Sequence, residues 1–119
     1  ISVTGVQTCA LPILAEPANA LAGALQKLGA ATKAAWATGV PEEALANATP
    51  YLQAFGHTVV AWVWLDVALA AQHGDSAFLR GKRAAMRYFF DFELPRIDAW
   101  LGVVASRNDL TRTLDEDAF

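Results

Sequence analysis

The stretch Tyr51–Asp98 constrains the chain most. It reads as two long apolar helices joined by a tight turn at Gln72-His-Gly-Asp75. From Tyr51 to Gln72, Leu52, Phe55, Val59, Val63, Val67 and Ala70 recur at helical spacing, and Val60 and Trp62 widen the stripe. That period marks the buried face of a helix rather than a strand. Beyond the turn, over about Ser76 to Ser106, a second stripe holds Phe78, Leu79, Ala85, Met86, Phe89, Phe90, Ile97, Trp100, Leu101 and Val104. Gly74 suits a left-handed helix cap. Asp75 or Ser76 suits the N-cap of the helix that follows. Pro95 predicts a kink.

An earlier helix is expected from about Glu16 to Ala37. Pro17 fits its first turn, where a missing N–H costs nothing. Leu21, Leu25, Leu28, Ala31, Ala35 and Trp36 give it one apolar stripe, and Gly39-Val-Pro41 ends it. The next helix begins near Pro41-Glu-Glu43, where carboxylates oppose the positive end of the dipole. Pro50 interrupts it. Either the helix kinks there, or Asn47 or Thr49 caps a fresh one; a kinked continuation is the expectation. The fold class is therefore all-α: a long antiparallel helical hairpin plus one N-terminal helix, a three-helix up-down bundle over residues 14–106. Residues 107–119 are polar and aperiodic and read as a loose C-terminal tail.

Composition limits what such a bundle can do. The chain has 119 residues, 55% hydrophobic and 18% charged, enough for one core and too apolar for disorder. A net charge of −3 argues against nucleic acid, which needs clustered Lys and Arg. The longest apolar run, Thr58 to Ala71, is broken by Asp66 and is shorter than the roughly 20 residues of a spanning helix, so no transmembrane segment is expected. The single cysteine, Cys9, cannot form an intrachain disulfide, and nothing points to an oxidising compartment. A cytoplasmic location is expected.

Residues 1–13 differ in style from the rest. They are β-branched and lack a helical period, and they meet an alanine-rich helix abruptly at Leu14-Ala-Glu-Pro17. From Val3 to Ile13 the wording resembles a translated sequencing-adapter oligonucleotide. A signal peptide would need a basic n-region and a better apolar stretch. Residues 1–13, with Cys9, are therefore set aside as an artefact outside the fold, and the chain is expected to be a fragment of a longer protein.

Several charged residues fall on apolar faces. With the turn centred near Gly74, Asp66 faces Lys82 or Arg83, and Glu93 and Arg96 face roughly Gly56 and Gln53. A buried carboxylate needs a partner, so Asp66 with Lys82 or Arg83 reads as a register-setting ion pair. A catalytic carboxylate–lysine pair is the sharper alternative, but no nucleophile or second acid lies nearby. Glu93 and Arg96 read as a polar network between helices. His57 and His73 stand alone, without the Glu-x-x-His of a di-iron bundle or the spacing of a zinc site. Gly81-Lys82 is not a phosphate loop, since no strand or glycine pattern precedes it. Arg80, Lys82, Arg83 and Arg87 read as a solvated face. Trp64 points away from the main stripe and marks a second contact surface. No catalytic, cofactor-binding or metal residue is assigned.

Three words carry a resemblance: Tyr51-Leu-Gln-Ala-Phe-Gly-His-Thr-Val-Val-Ala-Trp-Val-Trp-Leu65, Phe78-Leu-Arg-Gly-Lys-Arg-Ala-Ala-Met-Arg-Tyr-Phe-Phe90 and Glu93-Leu-Pro-Arg96. Together, over roughly Leu14 to Phe119, they resemble the C-terminal extension of bacterial acyl-CoA dehydrogenases, in the subgroup that includes methylmercaptopropionyl-CoA dehydrogenase. The acidic Leu114-Asp-Glu-Asp117 ending fits that group. The resemblance implies a helical accessory domain of an FAD-dependent enzyme that removes hydrogens from the α and β carbons of acyl-CoA thioesters. It implies that the flavin site, the acyl pocket and the glutamate base lie in an upstream core, so this fragment has no cofactor of its own. The implied partners are that core and a neighbouring subunit, with acyl-CoA reached only through the core. The alternative is a free-standing helical interaction or membrane-surface module without catalysis.

Overall fold

The computed structural model describes residues 12–119. The chain is all-helical there, as the period predicts. A 3₁₀ turn, Pro12–Leu14, leads into α1 (Ala15–Ala35). The short α2 (Pro41–Ala44) precedes α3 (Ala48–Ala70). The return limb of the hairpin is α4 (Ala77–Tyr88), a π-turn (Phe89–Glu93), a 3₁₀ turn (Leu94–Arg96) and α5 (Ile97–Ser106). A last helix, α6 (Leu110–Thr113), and a 3₁₀ turn, Glu116–Ala118, finish the chain. α5 packs on both α1 and α3, α1 packs on α3, and α4 packs on α3. The artefact reading of residues 1–13 falls almost wholly outside the described residues.

The core is built from mixed sizes. α1 contributes Ala18, Leu21, Ala24, Leu28, Ala31 and Ala35, and the return limb contributes Met86, Phe90, Leu94, Ile97, Leu101 and Val104. Against these large side chains α3 turns Ala54, Thr58, Ala61, Leu65 and Ala68. Four of those five are small, so neighbouring backbones approach closely and the larger groups interlock over them. Thr58 is buried but satisfied, donating its hydroxyl to the Ala54 carbonyl at 2.9 Å.

This corrects the expected inner face of α3. Leu52 (69% exposed), Phe55 (47%), Val59 (36%) and Val63 (50%) lie on its outer side, with Val60 and Trp62 also exposed. The helix is apolar nearly all round, so the period fitted more than one face. Packing selected the face by side-chain size. Leu25 of α1, Trp36 at its C-cap and Phe78 of α4 also stand outside the core although they fall on their expected stripes.

Pro50 does not kink a continuous helix. A turn over residues 45–47 separates α2 from α3, and Asn47 is the N-cap of a fresh helix. Pro50 then sits in the first turn, where its N–H would have had no partner. The Asn47 side chain is occupied elsewhere, donating from Nδ2 to the Asn108 carbonyl at 2.9 Å.

The hairpin turn also differs from expectation. α3 ends at Ala71, whose φ of −95° is right-handed. Gly74 is not left-handed; a Cβ there would lie 1.8 Å from Leu79 Cδ1, so a larger residue requires the Leu79 side chain to move. The left-handed glycine is Gly39, at φ 73°, just past α1. Ser76 is the N-cap of α4 and accepts from the Leu79 N–H at 3.3 Å.

At Pro95 the break takes the form of a π-turn ahead of the proline. The Leu94 N–H bonds back to the Phe89 carbonyl, five residues away. Pro95 has no N–H to give and its ring crowds the preceding turn, so the widened turn and the following 3₁₀ turn absorb the mismatch. Residues 107–119 touch the bundle through polar contacts. Thr111 donates to the Ala46 carbonyl at 3.2 Å, and Arg107 Nη1 lies 3.9 Å from Glu43 Oε2. Residues 107–119 are all exposed.

Candidate functional site

The polar residues singled out in the sequence are dispersed by the fold, with one exception. Asp66 does not meet Lys82 or Arg83. It lies on the outer face of α3, exposed, and enters none of the ion pairs among the described residues. The register argument placed it at the right height but on the wrong side, for the same reason that the stripe was misplaced. Lys82 instead holds its Nζ over the Phe78 ring, 4.9 Å from the centroid.

Much of the basic cluster on α4 secures the hairpin turn. Arg83 Nη1 donates to the carbonyl of Ala71 and, at 2.7 Å, to that of Gly74. Arg80 donates to the Asp75 carbonyl and lies 3.5 Å from its carboxylate. These guanidinium groups serve carbonyls that the end of α3 and the turn leave unpaired, at the negative end of the helix dipole. Arg87 pairs with Asp91 at 3.4 Å across the start of the π-turn.

The exception is a polar knot formed where the π-turn crosses α3. His57 Nε2 lies 3.4 Å from Glu93 Oε2, and Arg96 Nε lies 3.3 Å from the same oxygen. The His57 ring sits edge-on to Trp100 at 4.8 Å and tilted against Phe89 at 5.7 Å. The sequence reading placed Glu93 one residue from its true partner but treated His57 as isolated. The nearest signal is the hairpin register, which sets position 93 within one residue of position 57; the π-turn supplies the rest. Chemically the knot offers one carboxylate shared by an imidazole and a guanidinium, and no nucleophile. The described residues include no group of three or more His, Cys, Asp or Glu side chains that could hold a metal.

A second polar link ties α1 to α3, with Thr32 and Tyr51 hydroxyls 2.8 Å apart. Lys27 and Asp98 pair at 2.7 Å between α1 and α5, both well exposed. Shallow clefts among the described residues measure about 90 to 220 Å³. The cleft bounded by Glu43, Arg107, Asp109 and Arg112 carries both signs of charge. These volumes fall below the roughly 300 Å³ at which small-molecule pockets begin.

What the fold leaves open is a surface. The outer side of α3 is a broad apolar face, and the chain's thinnest extent of 15 Å is only two helices deep. α3 is also long and apolar enough to cross a membrane by length and composition, although its small-residue face is packed within the bundle. A helical module with a satisfied core, a polar knot that fixes its hairpin and a large uncovered apolar face belongs to the class of packing or accessory domains. Residues 4–115 match the family described as acetyl-CoA dehydrogenase C-terminal like, and the chain belongs to that family. No curated protein and no solved structure matches it.

Proposed function

We propose that this chain is the C-terminal helical accessory domain of a larger FAD-dependent acyl-CoA dehydrogenase. The carrying observation is the family match over residues 4–115, nearly the whole chain. The uncovered apolar face of α3 supports a packing role, because apolar surface on that scale is ordinarily buried against a partner. In this reading the preceding core binds flavin and acyl-CoA, and its glutamate base removes the α proton. The core also passes the electrons on. The accessory domain contributes no reacting group; it braces the core or a subunit contact. The three sequence words that resemble the methylmercaptopropionyl-CoA dehydrogenase subgroup support a bacterial enzyme of that kind, working in the cytoplasm.

The test is deletion of this domain from the full-length parent. The shortened protein should keep bound flavin while losing thermal stability or its native assembly state. A shortened protein with unchanged melting and unchanged oligomeric state would contradict the bracing role.

A further inference from the structure

The distribution of side chains on α3 says more than that a face is uncovered. Its inner side is small and its outer side is large, which is the reverse of what an isolated three-helix bundle needs. Leu52, Phe55, Trp62 and Val63 are between 41% and 69% exposed. Asp66 lies among them, one helical turn beyond Trp62 and three residues beyond Val63, so it shares their face. It is the only charged residue in α3, which contains no Lys or Arg.

We propose that this outer face docks on an apolar protein surface of the parent's dehydrogenase core, and that the core presents one Lys or Arg to Asp66. The inference rests on the reading above that the chain belongs to a larger dehydrogenase. Covering Leu52, Phe55, Trp62 and Val63 takes the Asp66 carboxylate out of water, which is costly unless a cation meets it. No described ion pair within the chain supplies that cation. A two-fold contact of α3 against α3 does not supply it from that helix either, because α3 carries no Lys or Arg. An anionic lipid surface would repel the carboxylate. A core surface that is apolar with one cation satisfies both the area and the charge, and the pair then sets the register of docking.

The test uses the full-length parent with Phe55 replaced by the photoreactive p-benzoylphenylalanine, and reads adducts by mass spectrometry together with flavin content. The expected adduct joins position 55 to a core segment that has a Lys or Arg within reach of Asp66. Asp66→Lys should lower its yield about fivefold or more, and changing the core cation to Glu in that variant should restore it. Asp66 is exposed, so circular dichroism should be unchanged in these variants. An adduct to α3 of a second copy, an adduct to lipid, or no adduct in a flavin-loaded protein would overturn the docking surface and leave the proposed function standing. A flavin-free full-length protein would overturn the proposed function itself.

Discussion

His57 on α3 and Glu93 at the end of the π-turn meet at 3.4 Å, and Arg96 shares the same carboxylate oxygen. This contact fixes the register of the hairpin at the point where its return limb is irregular. The π-turn carries one more residue per turn than an α-helix and so rotates everything after it by about 100°. The side chains of Glu93, Ile97 and Trp100 therefore reach their partners through an irregularity that Pro95 imposes.

Removing the shared acceptor tests that role. Glu93→Ala should destabilise the chain by about 1 kcal/mol, since the carboxylate is a quarter exposed and Arg96 is mostly in solvent. Glu93→Gln, which keeps an acceptor oxygen, should lose less. Denaturant midpoints at unchanged slope provide the measurement. Equal midpoints for wild type and Glu93→Ala would mean the knot is a surface contact with no structural weight.

The inner and outer faces of α3 predict opposite tolerance. Ala61, with no exposed surface, faces the core, and Ala61→Leu should overpack it at a cost of about 1–3 kcal/mol. Val63 is half exposed, and Val63→Ser should change the stability of this chain by no more than about 0.5 kcal/mol. Reversal of the two results would place the core where the sequence stripe first put it.

The sequence showed the all-α class and the hairpin because a helical period sustained over twenty residues has few alternatives; the short helices and the turn's geometry leave no such period. It also showed most of the inner stripe of α1 and of the return limb, where Leu21, Leu28, Phe90, Ile97 and Leu101 recur at helical spacing. α3 misled because Ala54 and Phe55 are neighbours about 100° apart on a helix that is apolar on every side. Size complementarity with α1 and α5 chose Ala54, and no single-helix pattern contains that information. Asp66 followed its helix outward, so its expected pairing with Lys82 or Arg83 was lost. His57 was missed as a partner because its contacts depend on the π-turn, which is absent from any hydrophobic period.

The position of Pro50 gives a sharper test of where α3 begins. In the first turn its ring replaces an N–H with no helical partner, so Pro50→Ala should move stability by less than about 1 kcal/mol. In the interior of one continuous helix the same change would stabilise by about 3 kcal/mol. Thermal or denaturant unfolding separates these values easily.

Gly39 at φ 73° should resist substitution. Gly39→Ala should cost about 1–2 kcal/mol, because a Cβ crowds the following carbonyl in the left-handed region. Beyond the chain neighbours nothing lies within 4 Å of where that Cβ would be, so the loss would come from the local backbone and not from packing. An unchanged midpoint would mean that the turn after α1 has another accessible conformation.

The most direct measurement is the visible spectrum and acyl-CoA oxidation of the purified full-length parent, beside this chain expressed alone. The full-length protein should be yellow and reduce an electron-acceptor dye when given acyl-CoA, and this chain alone should be colourless and inactive. A full-length protein without flavin or without acyl-CoA oxidation would contradict the proposed function, and the apolar face of α3 would then belong to a helical interaction module with no dehydrogenase behind it.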